Sequence, residues 1–215
     1  MADRSQLRMD ARREAAEGRL GVALDLYGRV VRAAEEAGDA PDPLLHVRIA
    51  DLHHRLGHER SALESYGRAA SRYREEGLAL NAVAVWERVL RSYPDELQAH
   101  RSLVEINLDQ GLVGEARLHL LQFVEAADRM ERGDEAVELL VDFLASWYDD
   151  EVAQVLRAYQ ALLARRAHSA TTTADAEAGE ADPGASTIPR APADRSRRHV
   201  RRLLPVLPSV APAAG

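Results

Sequence analysis

Two stretches of the chain read as copies of one amphipathic helix and its closing turn. In "ALNAVAVWERVLRSYPDE", Ala82, Trp86, Val89, Tyr93, Pro94 and Asp95 are answered in "EAVELLVDFLASWYDDE" by Ala136, Leu140, Phe143, Trp147, Tyr148 and Asp149, every pair at the same offset. That offset recurs upstream, where residues 46–70 align with 100–124: His46 on His100, Ile49 on Leu103, Ala50 on Val104, Gly57 on Gly111, Ala62 on Ala116 and Tyr66 on Leu120. Gly77 and Gly133 stand slightly further apart than the other pairs, which predicts a two-residue insertion in the second copy's turn. An earlier and looser copy, "EGRLGVALDLYGRVVRA", places Gly18, Ala23, Tyr27 and Val30 at the spacing of Gly57, Ala62, Tyr66 and Ala69. A fixed internal period means that each unit leaves an apolar face for its neighbour to cover, and this restricts the chain to stacked repeats.

Between residues 3 and 167 apolar side chains recur at three- and four-residue spacing with almost no alternation of the strand type, so the predicted class is all-α. Breaks fall at Gly18, "GDAPDP" (38–43), Gly57, Gly77, Pro94, Gly111, Gly133 and "YDDE" (148–151). They divide the text into about nine helices of roughly 11 to 20 residues. The intervening loops are short, so consecutive helices must run antiparallel.

The order of a small residue in a first helix, glycine at the turn, alanine five residues on, an aromatic four later, a small or apolar residue and a closing proline resembles that of tetratricopeptide repeats. It reads Ile49-Ala50, Gly57, Ala62, Tyr66, Ala69 in one unit and Gly77, Ala82, Trp86, Val89, Pro94 in the next. The resemblance covers roughly residues 10 to 165. The 54-residue period is similar to the three-helix version found in bacterial scaffold proteins, in which one long helix closes one motif and opens another. Residues 59–76 carry both signatures, Ala62/Tyr66 and Ala69-Ala70/Tyr73/Gly77.

The resemblance implies an α-solenoid, a superhelix of helix hairpins, whose first helices line a concave surface that holds a partner peptide or helix. It names Val47, Asp51, His54 and Arg55 on one helix and Gln98, Arg101, Glu105 and Leu108 on another. Members that clamp a terminal carboxylate place asparagine directly after the small residue, whereas Asp51 follows Ala50 here and Glu105 follows Val104. Two acids would repel a carboxylate, so a basic or neutral segment is the expected partner. The alternatives are that these residues are simply a solvated face, or that a three-helix unit turns other helices inward.

There is no cysteine, which excludes disulfides, a thiol nucleophile and thiolate metal sites. Gly-Lys-Ser/Thr phosphate loops, dinucleotide fingerprints, His-Glu-x-x-His and calcium-loop spacings do not occur. His53, His54 and His58 are the tightest histidine group, but Gly57 interrupts them, so no metal, cofactor or catalytic residue is expected. His46 and His100 are expected to be half-buried fillers. Neither a signal peptide nor a spanning run is legible, and the expected location is the cytoplasm. Arginine is used throughout where lysine would serve, a choice that fits a GC-rich bacterial genome.

Charge is unevenly placed. Residues 1–168 hold 30 acids against 22 arginines, while 188–215 hold six arginines against Asp194 alone. An acidic body argues against nucleic-acid binding by the folded part. The expected organisation is a helical repeat domain over 1–167, a disordered linker over 168–193 with almost no large apolar residue, and a basic, apolar tail over 194–215. The tail, which carries Arg197, Arg198, Arg201 and Arg202, has room for a short helix capped by Asp194 and stopped by Pro205.

That tail could be a passive end, a docking peptide, a weak anchor for anionic lipid or nucleic acid, or a segment that folds back on the acidic body. Helix 150–166 lines up Val152, Leu156, Tyr159 and Leu163 with no helix after it, an expected homodimer contact. The function expected from these readings is a non-enzymatic protein–protein interaction scaffold. The alternatives are an adaptor acting at membrane or nucleic acid through its arginine-rich tail, or a helical ligand-binding or enzyme domain that mimics the repeat pattern.

Overall fold

The computed structural model describes residues 3–179, with side chains placed as far as His168. Among them nine α-helices follow one another and no strand occurs: α1 (Arg4–Ala16), α2 (Leu20–Glu35), α3 (Pro43–Arg55), α4 (Glu59–Glu75), α5 (Ala79–Ser92), α6 (Leu97–Asp109), α7 (Val113–Arg129), α8 (Gly133–Ser146) and α9 (Asp150–Gly179). The fold is an all-α helical repeat. Both ends of α6, α7 and α8 fall one full repeat period after the ends of α3, α4 and α5.

The turns show how strictly the period is kept. Gly57, Gly77 and Gly111 have φ between 72° and 74°, the left-handed conformation that closes a helix without strain when no Cβ is present. The repeat equivalent of Gly77 is Glu131, and it takes φ 59° itself. Gly133 is the first residue of α8, as Ala79 is of α5. The expected two-residue insertion therefore does not exist; the glycine was displaced into the helix start, and a glutamate bears a conformational cost of about 1–2 kcal/mol in its place.

Acids begin the first helix of each motif. The side chains of Asp3, Asp42 and Glu96 accept from the amides of Ser5, Leu44 and Gln98, and Asp149 accepts from Glu151 and Val152. Each satisfies an amide that has no partner within its helix and places negative charge at the positive end of the dipole. Part of the chain's acidity thus serves as caps.

The helices group into two compact units that part between Gln110 and Gly111. In the first, Leu7, Tyr27, Val30, Leu45 and Leu52 form one cluster, and Ala50, Ala62, Tyr66, Ala69, Ala82, Trp86, Val89 and Leu103 form another. The alanines let helix axes approach while Tyr66 and Trp86 fill the space beside them. The helix α4 packs on both α3 and α5, which is why it carries two sets of small residues. His46 and His100 are buried in this unit, more deeply than expected, and His100 Nε2–H donates to the Pro94 carbonyl at 2.9 Å.

In the second unit Ala116, Leu120, Phe123, Ala136, Leu140, Phe143, Val152, Val155 and Tyr159 are buried among α7, α8 and α9. The α9 stripe belongs to this core. Val152 and Tyr159 are 1% exposed and Leu163 lies over Gly133, so part of the stripe expected to form a homodimer contact packs on α8 in its own unit, while Leu156 and Leu163 stay half-buried. The helix continues to Gly179, through the first residues of the expected linker. Residues 180–193 and the tail with Arg197, Arg198, Arg201 and Arg202 lie outside the described residues. Among the described residues no helix is long and apolar enough to cross a membrane.

A buried and a half-buried histidine make the fold sensitive to mild acid. Burial lowers the pKa of His46, reinforced by Arg68, and burial lowers that of His119. The unfolded chain then takes up a proton near pH 6.5 while the folded chain does not, so stability is full above that value and falls as pH drops toward the lowered folded values. Urea midpoints should fall between pH 7.5 and 5.5, and His46→Gln with His119→Gln should flatten the difference; an unchanged slope would show that neither imidazole is held neutral.

Candidate functional site

An open groove of about 360 Å³ lies in the first unit between α4, α5 and α6. Its apolar part is Leu63 from α4 and Trp86 from α5. Gly67 helps to line it: a Cβ there would sit 3.6 Å from Trp86 Cη2, so glycine keeps the indole edge uncovered. Glu64, Glu96 and Glu105 stand around this floor with a single cation, Arg74.

The polar groups of the rim are held loosely. Arg74 reaches Glu105 at 3.2 Å and Asp109 at 3.1 Å, and Arg60 reaches Glu64 at 3.1 Å, all among exposed side chains. Such pairs contribute at most about 1 kcal/mol each, so an incoming cation can replace them at little cost. Gln98 Nε2–H donates to Ser102 Oγ at 3.2 Å, which positions two neutral hydrogen-bonding groups along the α6 side.

Of the residues named from the sequence, the groove contains Gln98 and Glu105. Arg101 and Leu108 sit half-buried on other faces of α6. The α3 set is not in it. Val47 is in the core, Arg55 is exposed elsewhere, and Asp51 accepts from the Tyr66 hydroxyl at 2.6 Å and pairs with Arg88 at 2.7 Å. His54 Nδ1 and the Tyr93 hydroxyl are hydrogen-bonded at 2.7 Å, their rings edge to face. Arg88 and Tyr93, from α5 and its end, occupy this face of α3.

The Asp51–Tyr66–Arg88 group is a structural tie. Burial raises the Tyr66 pKa and the bond to Asp51 raises it further, so the hydroxyl stays a donor throughout the neutral range. Arg88 also lies 6.0 Å over the Tyr66 ring. His53 and His58 meet across the Gly57 turn, Nδ1 to Nδ1 3.4 Å. Among the described residues no three histidine or carboxylate side chains converge as metal ligands.

No family model matches this sequence, and no curated protein matches it. Among solved structures the chain is similar to a tetratricopeptide repeat protein from Parabacteroides merdae ATCC 43184. The two share 16% identity, the match covers 84% of this chain and 80% of that one, and the TM-score is 0.29. The repeat architecture itself stands on the periodic recurrence of helix bounds and left-handed turns.

Sequence reasoning passed over Glu64, Gly67, Arg74 and Trp86 as groove residues. A faint signal existed: Gly67 is a glycine inside a helix, where it costs about 1 kcal/mol against alanine and so often marks a close approach or an opening.

Proposed function

We propose that this chain is a non-enzymatic protein-interaction scaffold whose α4–α6 groove binds a basic, amphipathic segment of a partner protein. The groove itself carries the reading: an indole edge and Leu63 at its floor, three carboxylates at its rim of which Glu64 and Glu105 are held only by the exposed Arg60 and Arg74, and an open mouth. A peptide with one apolar anchor beside arginine or lysine satisfies both parts, because the anchor is desolvated on the floor while its cations replace Arg60 and Arg74 on the rim. Glu64, Trp86, Gln98 and Glu105 are the contact residues. Val47, Asp51 and His54 hold α3 in place and act only through the shape of the unit.

The test is fluorescence anisotropy with a panel of labelled amphipathic peptides, basic and acidic, at two salt concentrations. Basic peptides should bind and acidic ones should not, with affinity falling as salt rises because the contacts are near the surface. Glu64→Arg with Glu105→Arg should weaken the basic peptides by about tenfold or more. Undiminished binding by that double variant would place the site elsewhere.

A further inference from the structure

We infer that a depression between α1 and α3, in the first unit, is a binding site for a phosphate monoester. Arg8 and Arg12 line it from α1 and Arg48 from α3, beside Leu44 and the α3 cap Asp42. It shares no residue with the α4–α6 groove, so the inference is independent of the proposed function. The three guanidinium groups have little to hold them. Arg8 meets Asp42 at 3.5 Å, and its Nε is buried without a hydrogen-bond partner. Arg12 is exposed and Arg48 half-buried, and neither forms an ion pair or a hydrogen bond among the described residues. Asp42 is itself divided, because it also accepts from the Leu44 amide at 2.9 Å.

Charge and shape choose the ligand. Three guanidinium groups less one carboxylate leave an excess of two positive charges around the depression, in a body that is otherwise acidic. A carboxylate ligand neutralises only half of that excess. A phosphate monoester carries nearly two negative charges at neutral pH and presents three acceptor oxygens, which planar guanidinium forks can meet in pairs. Leu44, 44% exposed beside these cations, offers an apolar rest for the carbon group of an ester, which free phosphate lacks. The contacts are partly solvated and each is weak, so a Kd of the order of 1 mM is expected. A bound ester bridges Arg8 and Arg12 to Arg48 and so ties α1 to α3.

The experiment titrates phenyl phosphate, inorganic phosphate and acetate into the isotope-labelled full chain at neutral pH and low salt, with the backbone amides of α1 and α3 followed by NMR. Reading those amides keeps anion binding elsewhere on the chain from being counted. Phenyl phosphate should shift them to saturation and bind about threefold tighter than inorganic phosphate, while acetate should not saturate. Arg12→Gln/Arg48→Gln should weaken phenyl phosphate about tenfold or more. Arg12→Gln alone, at an exposed position, should weaken it about threefold and serves if the pair does not fold. Phenyl phosphate that does not saturate, acetate that binds as tightly, or an affinity unchanged by the substitutions overturns the inference. Equal affinity for phenyl and inorganic phosphate overturns the assignment of an ester, since Leu44 then contributes nothing.

Discussion

Trp86→Ala is expected to lower the unfolding free energy by about 3–5 kcal/mol, the range for deleting a large aromatic from a core. Trp86 is 5% exposed and shares its cluster with Ala62, Ala69, Ala70 and Ala82. Those alanines already bring the helices close together, so the backbone has no room to collapse further and the cavity persists. Domains of this size have only about 5–15 kcal/mol to lose. The repeat supplies the control. Leu140 is the equivalent of Trp86 in the second copy and is fully buried. Trp86→Leu should then cost clearly less than the alanine change and stay folded, while removing the indole edge that the peptide panel reads. Urea unfolding followed by circular dichroism measures both. A midpoint for Trp86→Ala equal to that of the natural chain would mean that the ring is not part of the core.

Asp128→Ala should cost about 2–3 kcal/mol in the second unit, by stranding two buried or half-buried partners. The Asp128 side chain is 7% exposed; it accepts from the Tyr159 hydroxyl at 3.2 Å and from Arg166 at 2.5 and 3.3 Å. The tyrosine ring is 1% exposed, so its hydroxyl cannot turn to water instead. Burial, and then Asp128, raise the Tyr159 pKa, so the folded state favours the neutral phenol. That contribution is complete below about pH 10 and is lost as pH rises through the raised folded value. Asp128→Asn retains an acceptor but no charge and should fall between the two. Arg60→Ala provides the contrast: its pair with Glu64 is 93% and 54% exposed, and its loss should stay within about 0.5 kcal/mol. If Asp128→Ala and Arg60→Ala shift the urea midpoint equally, the lock between α7 and α9 is not a stabilising element.

The parts of the fold legible in sequence were those specified by near neighbours. Gly57, Gly77 and Gly111 mark turns because the left-handed conformation asks for glycine, and the helices they separate show their period within a dozen residues. Glu131 was invisible for the complementary reason. A non-glycine residue held left-handed by its surroundings carries no local mark, and Gly133 nearby drew the alignment two residues off. The α9 stripe was legible as a stripe, but what covers it was not, since a period of apolar residues says that a face is buried and leaves open by what.

The candidate site divides in the same way. Asp51 and Glu105 hold one repeat position in successive copies, and from the sequence they are equivalent. In the structure Asp51 is engaged by Tyr66 and Arg88, while Glu105 lines the groove and meets only the exposed Arg74. The counterparts of Tyr66 and Arg88 in the second copy are Leu120 and Asp142, which can neither donate to a carboxylate nor neutralise it. The sequence by itself determined where the helices start, stop and repeat, because caps, glycines and apolar spacing act within a turn or two. Only the tertiary structure decided which acids line the groove, because a carboxylate's surroundings depend on donors brought to it from distant helices.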